Sequence, residues 1–296
     1  MKEKPFSKYQ ILANAVMIIW TLAIIVPFIL LFMSSITDEN TLVANGYSFF
    51  PKKFSLASYS YIIKSGGQIL KAYGVSIGVT VVGTLLNVLL SALMAYPLSV
   101  KNLPGRNVMM FFVFFTMLFN GGIVPSYIMW TGTFHIKDTI FAQLLPNFLL
   151  SAWNVMMIRT YFTTSIPDGL YEAAEIDGAS QFTIFWKIVL PLGKPILVTM
   201  GTFAGLTYWN DWTNGLYYIV KNTDLYNVQN LLNQMVQNIQ FLTQSSNSNV
   251  TAAASTIPAT GIQMAIAFVA ILPIMLIFPS FQKYYAKGIA LGAVKG

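Results

Sequence analysis

The sequence predicts an all-α polytopic membrane protein with six transmembrane helices and a helix-turn-helix insert on the inner side. Three observations predict it. Hydrophobic residues make up 55% of the 296 residues and charged residues only 9%, against about 25% charged in soluble domains. Six apolar runs are long enough to cross a hydrocarbon core about 30 Å thick. The basic residues are unevenly spread: with the N-terminus inside, 11 of the 17 lysines and arginines fall in inner segments and 6 in outer ones. That bias puts both termini on the cytoplasmic side of a multi-pass protein.

The first run, Ile11 to Met33, follows Lys2, Lys4 and Lys8. A cleavable signal has an apolar core of about 7–15 residues, so a retained first helix is expected, kinked at Pro27. Further spans are expected near Lys71–Val100, Val108–Trp130, Thr139–Tyr161, Pro195–Val220 and Ile257–Phe281. Gly121, Gly122 and Pro125 in the third, and Pro146 in the fourth, predict bent or broken helices, which membranes tolerate where neighbours re-satisfy the backbone. The whole of residues 1–296 reads as a single transmembrane domain. It includes an insert at about 165–194, a polar outer loop at about 221–256 and an inner tail at about 282–296.

The net charge of +7 is dispersed at membrane edges, where it orients the chain and meets lipid headgroups, and gives no reason to expect nucleic acid. Cysteine is absent, which excludes a disulfide framework and a thiolate nucleophile. No phosphate-binding G-x-x-x-x-G-K-[ST] loop occurs, so the chain is not expected to bind and hydrolyse ATP, and no H-E-x-x-H suggests a metal. The one histidine, His135, lies in a short outer loop without a partner set. An enzyme is not expected, and neither a metal nor a cofactor on this chain.

The most informative stretch is Glu172 to Pro195. Four of the ten acidic residues lie between Asp168 and Asp177. Ser165-Ile166-Pro167-Asp168 reads as a helix start, with a capping serine, a first-turn proline and an acid at the positive end of the dipole. Leu170, Ala173, Ala174 and Asp177 fall on one helical face. Gly178 ends this helix, since glycine accepts the left-handed conformation of a tight stop. Ser180 starts a second helix through Leu190, stopped by Pro191. An anionic leaflet would repel the acidic first helix, so a protein partner fits it better than lipid.

At these residues the chain resembles a family. Glu172-Ala173-Ala174, Asp177-Gly178-Ala179, Ile188, Leu190-Pro191 and Pro195 are similar to the signature of membrane-spanning permease subunits of bacterial ABC importers. The spans, with the terminal run from Lys287 to Gly296, resemble the carbohydrate type and the smaller permease of the maltose importer within it. Phe119 to Pro125 and Trp209-Asn210-Asp211-Trp212 are similar to a branch handling larger plant-type or uronate-containing saccharides. The resemblance implies a bacterial inner or plasma membrane protein working by alternating access. Its implied partners are a second permease, two ATPase subunits carrying ATP and Mg, an outer solute-binding protein and a saccharide substrate. Glu172, Ala173, Ala174, Asp177, Gly178, Ala179, Leu190 and Pro191 would then form the ATPase-coupling insert, with the 221–256 loop facing the binding protein.

Within the membrane, Asp211 in the fifth span would cost about 2.5–3.5 kcal/mol if exposed to lipid, so it should face the bundle or a wet cavity. It reads either as an acceptor for sugar hydroxyls beside Trp209, Asn210 and Trp212, or as a helix-end contact. Asn120, Tyr127 and Asn154 are further pathway candidates that also serve as packing groups. Gly74–Gly78 and Gly201–Gly205 predict close helix crossings. Two other classes compete: an ion-coupled secondary carrier using Asp211, and a membrane scaffold recruiting a partner through the insert.

Overall fold

The computed structural model describes residues 8–64, 66–146, 148–244 and 259–293. Its helices are α1 (Lys8–Ser35), α2 (Glu39–Asn45), α3 (Ala57–Lys64), α4 (Gly66–Ser99), α5 (Arg106–Leu118) and α6 (Ile123–Ile128, extended by a wide turn Met129–Thr133). Next come α7 (Phe141–Leu144), α8 (Ala152–Ser165), α9 (Asp168–Ile176), α10 (Gln181–Ile184) and, after a wide turn Phe185–Val189, α11 (Leu190–Leu192). The chain continues with α12 (Lys194–Trp209), α13 (Thr213–Tyr218), α14 (Val228–Gln244) and α15 (Ala259–Ala293). No sheet forms among the described residues; one isolated bridge joins Thr37 to Phe54. The protein is all-α and polytopic.

Single helices within Lys8–Ser35, Gly67–Ser99 and Thr260–Ile277 are long and apolar enough to span. Two more spans arise if bent pairs count as one each: Arg106–Leu118 with Ile123–Thr133, turned by 109°, and Gln181–Leu192 with Lys194–Trp209, turned by 78°. Three to five long apolar helices therefore stand where six spans were expected. The breakers account for the difference. Gly122 adopts φ 87° between α5 and α6, a conformation glycine takes without a Cβ penalty. Residues around Pro146 separate α7 from α8, so Thr139–Tyr161 holds no continuous helix. The fifth expected span breaks at Asn210–Trp212.

Two compact units are present. One comprises the described residues of Met1–Ile69 and Leu232–Pro273. In it α1 exposes apolar side chains nearly all round, Ile11, Met17, Ile19 and Trp20 among them, as a helix immersed in lipid does. Phe32 meets Phe268 with ring centroids 4.9 Å apart. Glu39 accepts hydrogen bonds from the amides of Thr260 (2.9 Å) and Gly261 (2.8 Å), which lie in the first turn of α15.

The other unit comprises the described residues of Leu70–Leu231 and Ile274–Gly296. Its core joins Ala92, Ala95 and Leu98 of α4 to Val155, Ile158 and Phe162 of α8, and to Ile184, Phe185 and Val189 of the insert. The α4–α12 crossing is close, as Gly201 and Gly205 predict. A Cβ on Gly201 would lie 3.4 Å from Val88 and one on Gly205 3.3 Å from the Thr84 hydroxyl, while one on Gly83 would collide with the ring of Tyr208. Gly74 and Gly78 face open space instead. The polar stretch at 221–256 contains the 17-residue helix α14; residues 245–258 lie outside the described chain. The tail at about 282–296 continues α15 as far as Ala293.

Candidate functional site

The insert forms from its sequence much as expected, with two shifts. The α8 helix runs on to Ser165, beyond Tyr161, so Ser165 ends a helix instead of capping one, and Pro167 occupies the N-cap of α9. At the other end, Gly178 has φ 76°. Its amide donates to Glu175 O (3.0 Å) and that of Ala179 to Ala174 O (2.9 Å). This pair of bonds is the Schellman stop, which satisfies carbonyls the helix leaves open. Ser180 caps α10, its hydroxyl accepting from the Thr183 amide at 3.3 Å. Pro191 does not stop the second helix. The wide turn before it places the proline in the first turn of α11, where no amide is needed, and the bend comes at Gly193.

Side-chain contacts then fix the insert. Tyr96 of α4 donates to Gln181 Oε1 (2.6 Å), and Gln181 Nε2 donates to Glu175 Oε1 (2.8 Å). Lys101 pairs with Asp168, an exposed pair that contributes at most about 1 kcal/mol. Arg159 Nε donates to Leu98 O (3.2 Å). A Cβ on Gly193 would collide with the buried ring of Phe162. Of the expected docking face, Ala174 turns inward and is 8% exposed, while Glu172, Ala173, Asp177 and Gly178 are exposed. Ile176, unremarked in the sequence, is 85% exposed. Ala179 and Leu190 are half-buried and Pro191 is exposed.

The break after α12 gathers the second set of residues. Asp211 is 5% exposed. Its Oδ1 accepts from the Thr213 amide (3.0 Å), the Thr213 hydroxyl (2.6 Å) and the Asn214 amide (3.3 Å), closing the first turn of α13. Its Oδ2 is buried without a partner. Amide side chains satisfy the carbonyls that the breaks release. Asn227 Nδ2 donates to Asp211 O (2.6 Å), Asn230 to Trp212 O, and Asn214 to Pro146 O (3.1 Å). Tyr208 Oη donates to Leu144 O (2.9 Å) and Asn87 Nδ2 to Phe148 O (2.6 Å). Asn154 Nδ2 donates to Asn87 Oδ1 (2.7 Å), so this pathway candidate is occupied in holding α8 to α4.

A pocket of about 360 Å³ lies against the break, lined by Asn210, Asp211, Trp212 and Thr213 with Phe148, Phe203, Leu206 and Thr207. Trp212 is 44% exposed, but Trp209 is 7% exposed, with its ring near Tyr73 (6.4 Å), and so offers no open stacking face. Asn120 is exposed, and its Oδ1 accepts from the Gly122 amide (2.8 Å) in the α5–α6 break. Tyr127 stacks on Tyr218 (5.8 Å) and accepts from Lys137 (3.2 Å). Neither lines the pocket. No group of three or more metal-ligating side chains occurs among the described residues.

One anchor was missed in the sequence. Asp138, at φ 58°, accepts through Oδ1 from the amides of Val220 (2.7 Å), Lys221 (2.7 Å) and Asn222 (3.3 Å). Those amides, Lys221 first, hold its carboxyl below the usual carboxylate range. Only the run of three consecutive amides reveals this, and nothing at Asp138 itself signals it.

Residues 74–291 match the family described as binding-protein-dependent transport system inner membrane component. The chain belongs to this family. The permease is 36% identical over 288 residues to the polygalacturonan/rhamnogalacturonan transport system permease protein YtcP of Bacillus subtilis, covering 97% of this chain and 98% of that one. It is also 36% identical to protein LplC of the same organism, over 92% of this chain and 90% of that one. Among solved structures it resembles a bacterial ABC transporter involved in the import of the acidic polysaccharide alginate, with TM-score 0.79, 26% identity and coverage of 96% and 100%. The chain is thus a non-catalytic permease subunit of an ABC-type importer. That membership decides against the ion-coupled carrier and the scaffold.

Proposed function

We propose that this permease is half of the transmembrane pathway for a saccharide, six-spanning with both termini cytoplasmic, and that the insert from Asp168 to Leu192 carries on its α9 end the dock for an ATPase subunit. The observation that carries the reading is the exposed end of α9. Glu172, Ala173, Ile176 and Asp177 project from a helix whose stop is fixed by the Gly178 bonds and whose last turn is tied to α4 by the chain of bonds from Glu175 through Gln181 to Tyr96. An exposed apolar side chain ringed by acids suits a partner groove with basic walls. Two ATPases, a second permease and a solute-binding protein complete the assembly.

The names of the relatives support a carbohydrate cargo, with oligosaccharides rich in uronic acid as the first class to test. The pocket beside Asn210, Asp211 and Trp212 is this chain's contribution to the path, Trp212 providing an aromatic face and Asn210 a hydrogen-bonding edge. Asp211 holds the break that shapes it.

The test is a charge reversal at Glu172 and Asp177 in the assembled importer. Loss of ATPase from purified membranes, together with loss of uptake, is the expected result. Retained ATPase and normal substrate-stimulated hydrolysis would refute the docking role.

A further inference from the structure

The second half of the insert has a different surface from the first. From Gln181 to Lys194 the chain holds two lysines and no acid. Ile184, Phe185 and Val189 are buried at 0–2% exposure, whereas Phe182 is 67%, Trp186 46% and Leu192 45% exposed. Phe182 and Trp186, four residues apart, share a helical face with ring centroids 6.4 Å apart. Lys187 and Lys194 are exposed and neither pairs with a carboxylate among the described residues. The segment turns by 78° from the α12 helix. A span close to the bilayer normal therefore leaves Gln181–Leu192 close to the membrane plane.

We infer that Gln181–Leu192 is an interfacial anchor, whose exposed Phe182, Trp186 and Leu192 enter the headgroup boundary and whose Lys187, with Lys194 just beyond the bend, binds anionic phospholipid. Each feature is one that membrane-surface helices share: in-plane placement, aromatic side chains at headgroup depth and lysines in a stretch without acids. Direct continuity with a span at Gly193 puts the segment at the bilayer boundary. A protein groove is the occupant suggested by the α9 surface, because there the charges are negative. The insert thus faces two partners: acids toward a protein on α9, aromatics and lysines toward lipid on the segment after it.

The absence of cysteine makes single labels clean. Phe182→Cys and Ile176→Cys, each carrying a spin label, are placed in the full chain in nanodiscs of phosphatidylcholine with increasing phosphatidylglycerol. The label at 182 should be reached by oxygen in preference to a water-soluble nickel complex, and the label at 176 the reverse. Adding Lys187→Gln should lower the phosphatidylglycerol preference at 182 about fivefold, the contribution of one lysine near an anionic surface. Equal nickel access at 182 and 176 would overturn the anchor. A 182 label shielded only after the ATPase is added would also overturn it, and assign the face to that protein. A lipid-buried 182 label indifferent to phosphatidylglycerol and to Lys187→Gln would overturn the anionic specificity.

Discussion

Glu39 is the clearest single test of how this chain anchors a span. The first four amides of a helix have no intrahelical acceptor, so any protection of Thr260 and Gly261 from exchange must come from outside α15. Glu39 supplies it with two bonds of 2.9 and 2.8 Å. Bonds to a charged group contribute about 1.5–3 kcal/mol each, and an anion at a helix N-terminus adds about 0.3–1 kcal/mol. Glu39→Gln keeps one acceptor oxygen and loses the charge, a cost of about 2 kcal/mol, or exchange about 30-fold faster at these amides. Glu39→Ala removes both acceptors, at about 3 kcal/mol and over ~100-fold. Hydrogen exchange resolved at the first turn of α15 measures both. A second readout is built in: a Cβ on Gly261 would collide with the Ser58 hydroxyl and come 3.2 Å from Glu39 Oε2, so Gly261→Ala and Glu39→Ala should be non-additive. Exchange within about threefold of the wild type in both Glu39 variants would refute the reasoning.

Three further outcomes are expected. Gly178→Leu places a side chain at φ 76°, where an L-residue costs roughly 1–2 kcal/mol; ATPase should dissociate from the complex, and unchanged binding with normal substrate-stimulated hydrolysis would contradict the helix-stop reading. Asp211→Asn retains the acceptor that closes α13 and should reduce uptake only modestly, whereas Asp211→Ala strands up to three donors at about 1–3 kcal/mol each and should lower the melting temperature in detergent; abolished uptake by Asp211→Asn with intact assembly would assign the carboxylate a direct part in transport. Asp138 has a depressed carboxyl, so its tether is present above the ordinary carboxylate range and is lost as pH falls through the lower folded value; protection of the Val220, Lys221 and Asn222 amides, corrected for intrinsic rate, should fall on acidification and be insensitive to pH in Asp138→Ala.

Much of the insert was legible because its signals are local. A glycine at a helix stop and a serine at a helix start act through their own backbone, and Gly178 and Ser180 do what their residue types require. Ser165 and Pro191 misled for a related reason. A cap or a breaker acts only in the right register, and tertiary contact extended α8 by one turn while the wide turn at Phe185–Val189 shifted Pro191 to a tolerated position. Span count was less legible, since hydropathy sees apolar length but not the direction of the chain after Gly122 or Asn210. The amide set around Asp211 was invisible for another reason. Asn87 and Asn214 reach the carbonyls of Phe148 and Pro146, 61 and 68 residues away in sequence, and Asn227 and Asn230 reach those of Asp211 and Trp212, 16 and 18 residues away, so only the fold pairs each with its partner. Asp211 itself was legible as an interior carboxylate, and of its two readings the geometry displays the bonds of the helix end.

The elbow at Gly193 bears on how force travels. With no space for even a methyl group between it and Phe162, the corner between α11 and α12 rests directly on α8. On the docking role proposed above, a push on the insert would meet this contact instead of being taken up by inward sliding at the corner, and would be passed on to α12. The far end of that arm is Trp209, next to Asn210 and Asp211. A displacement at the insert would thereby reach the pocket wall along one continuous helix, α12.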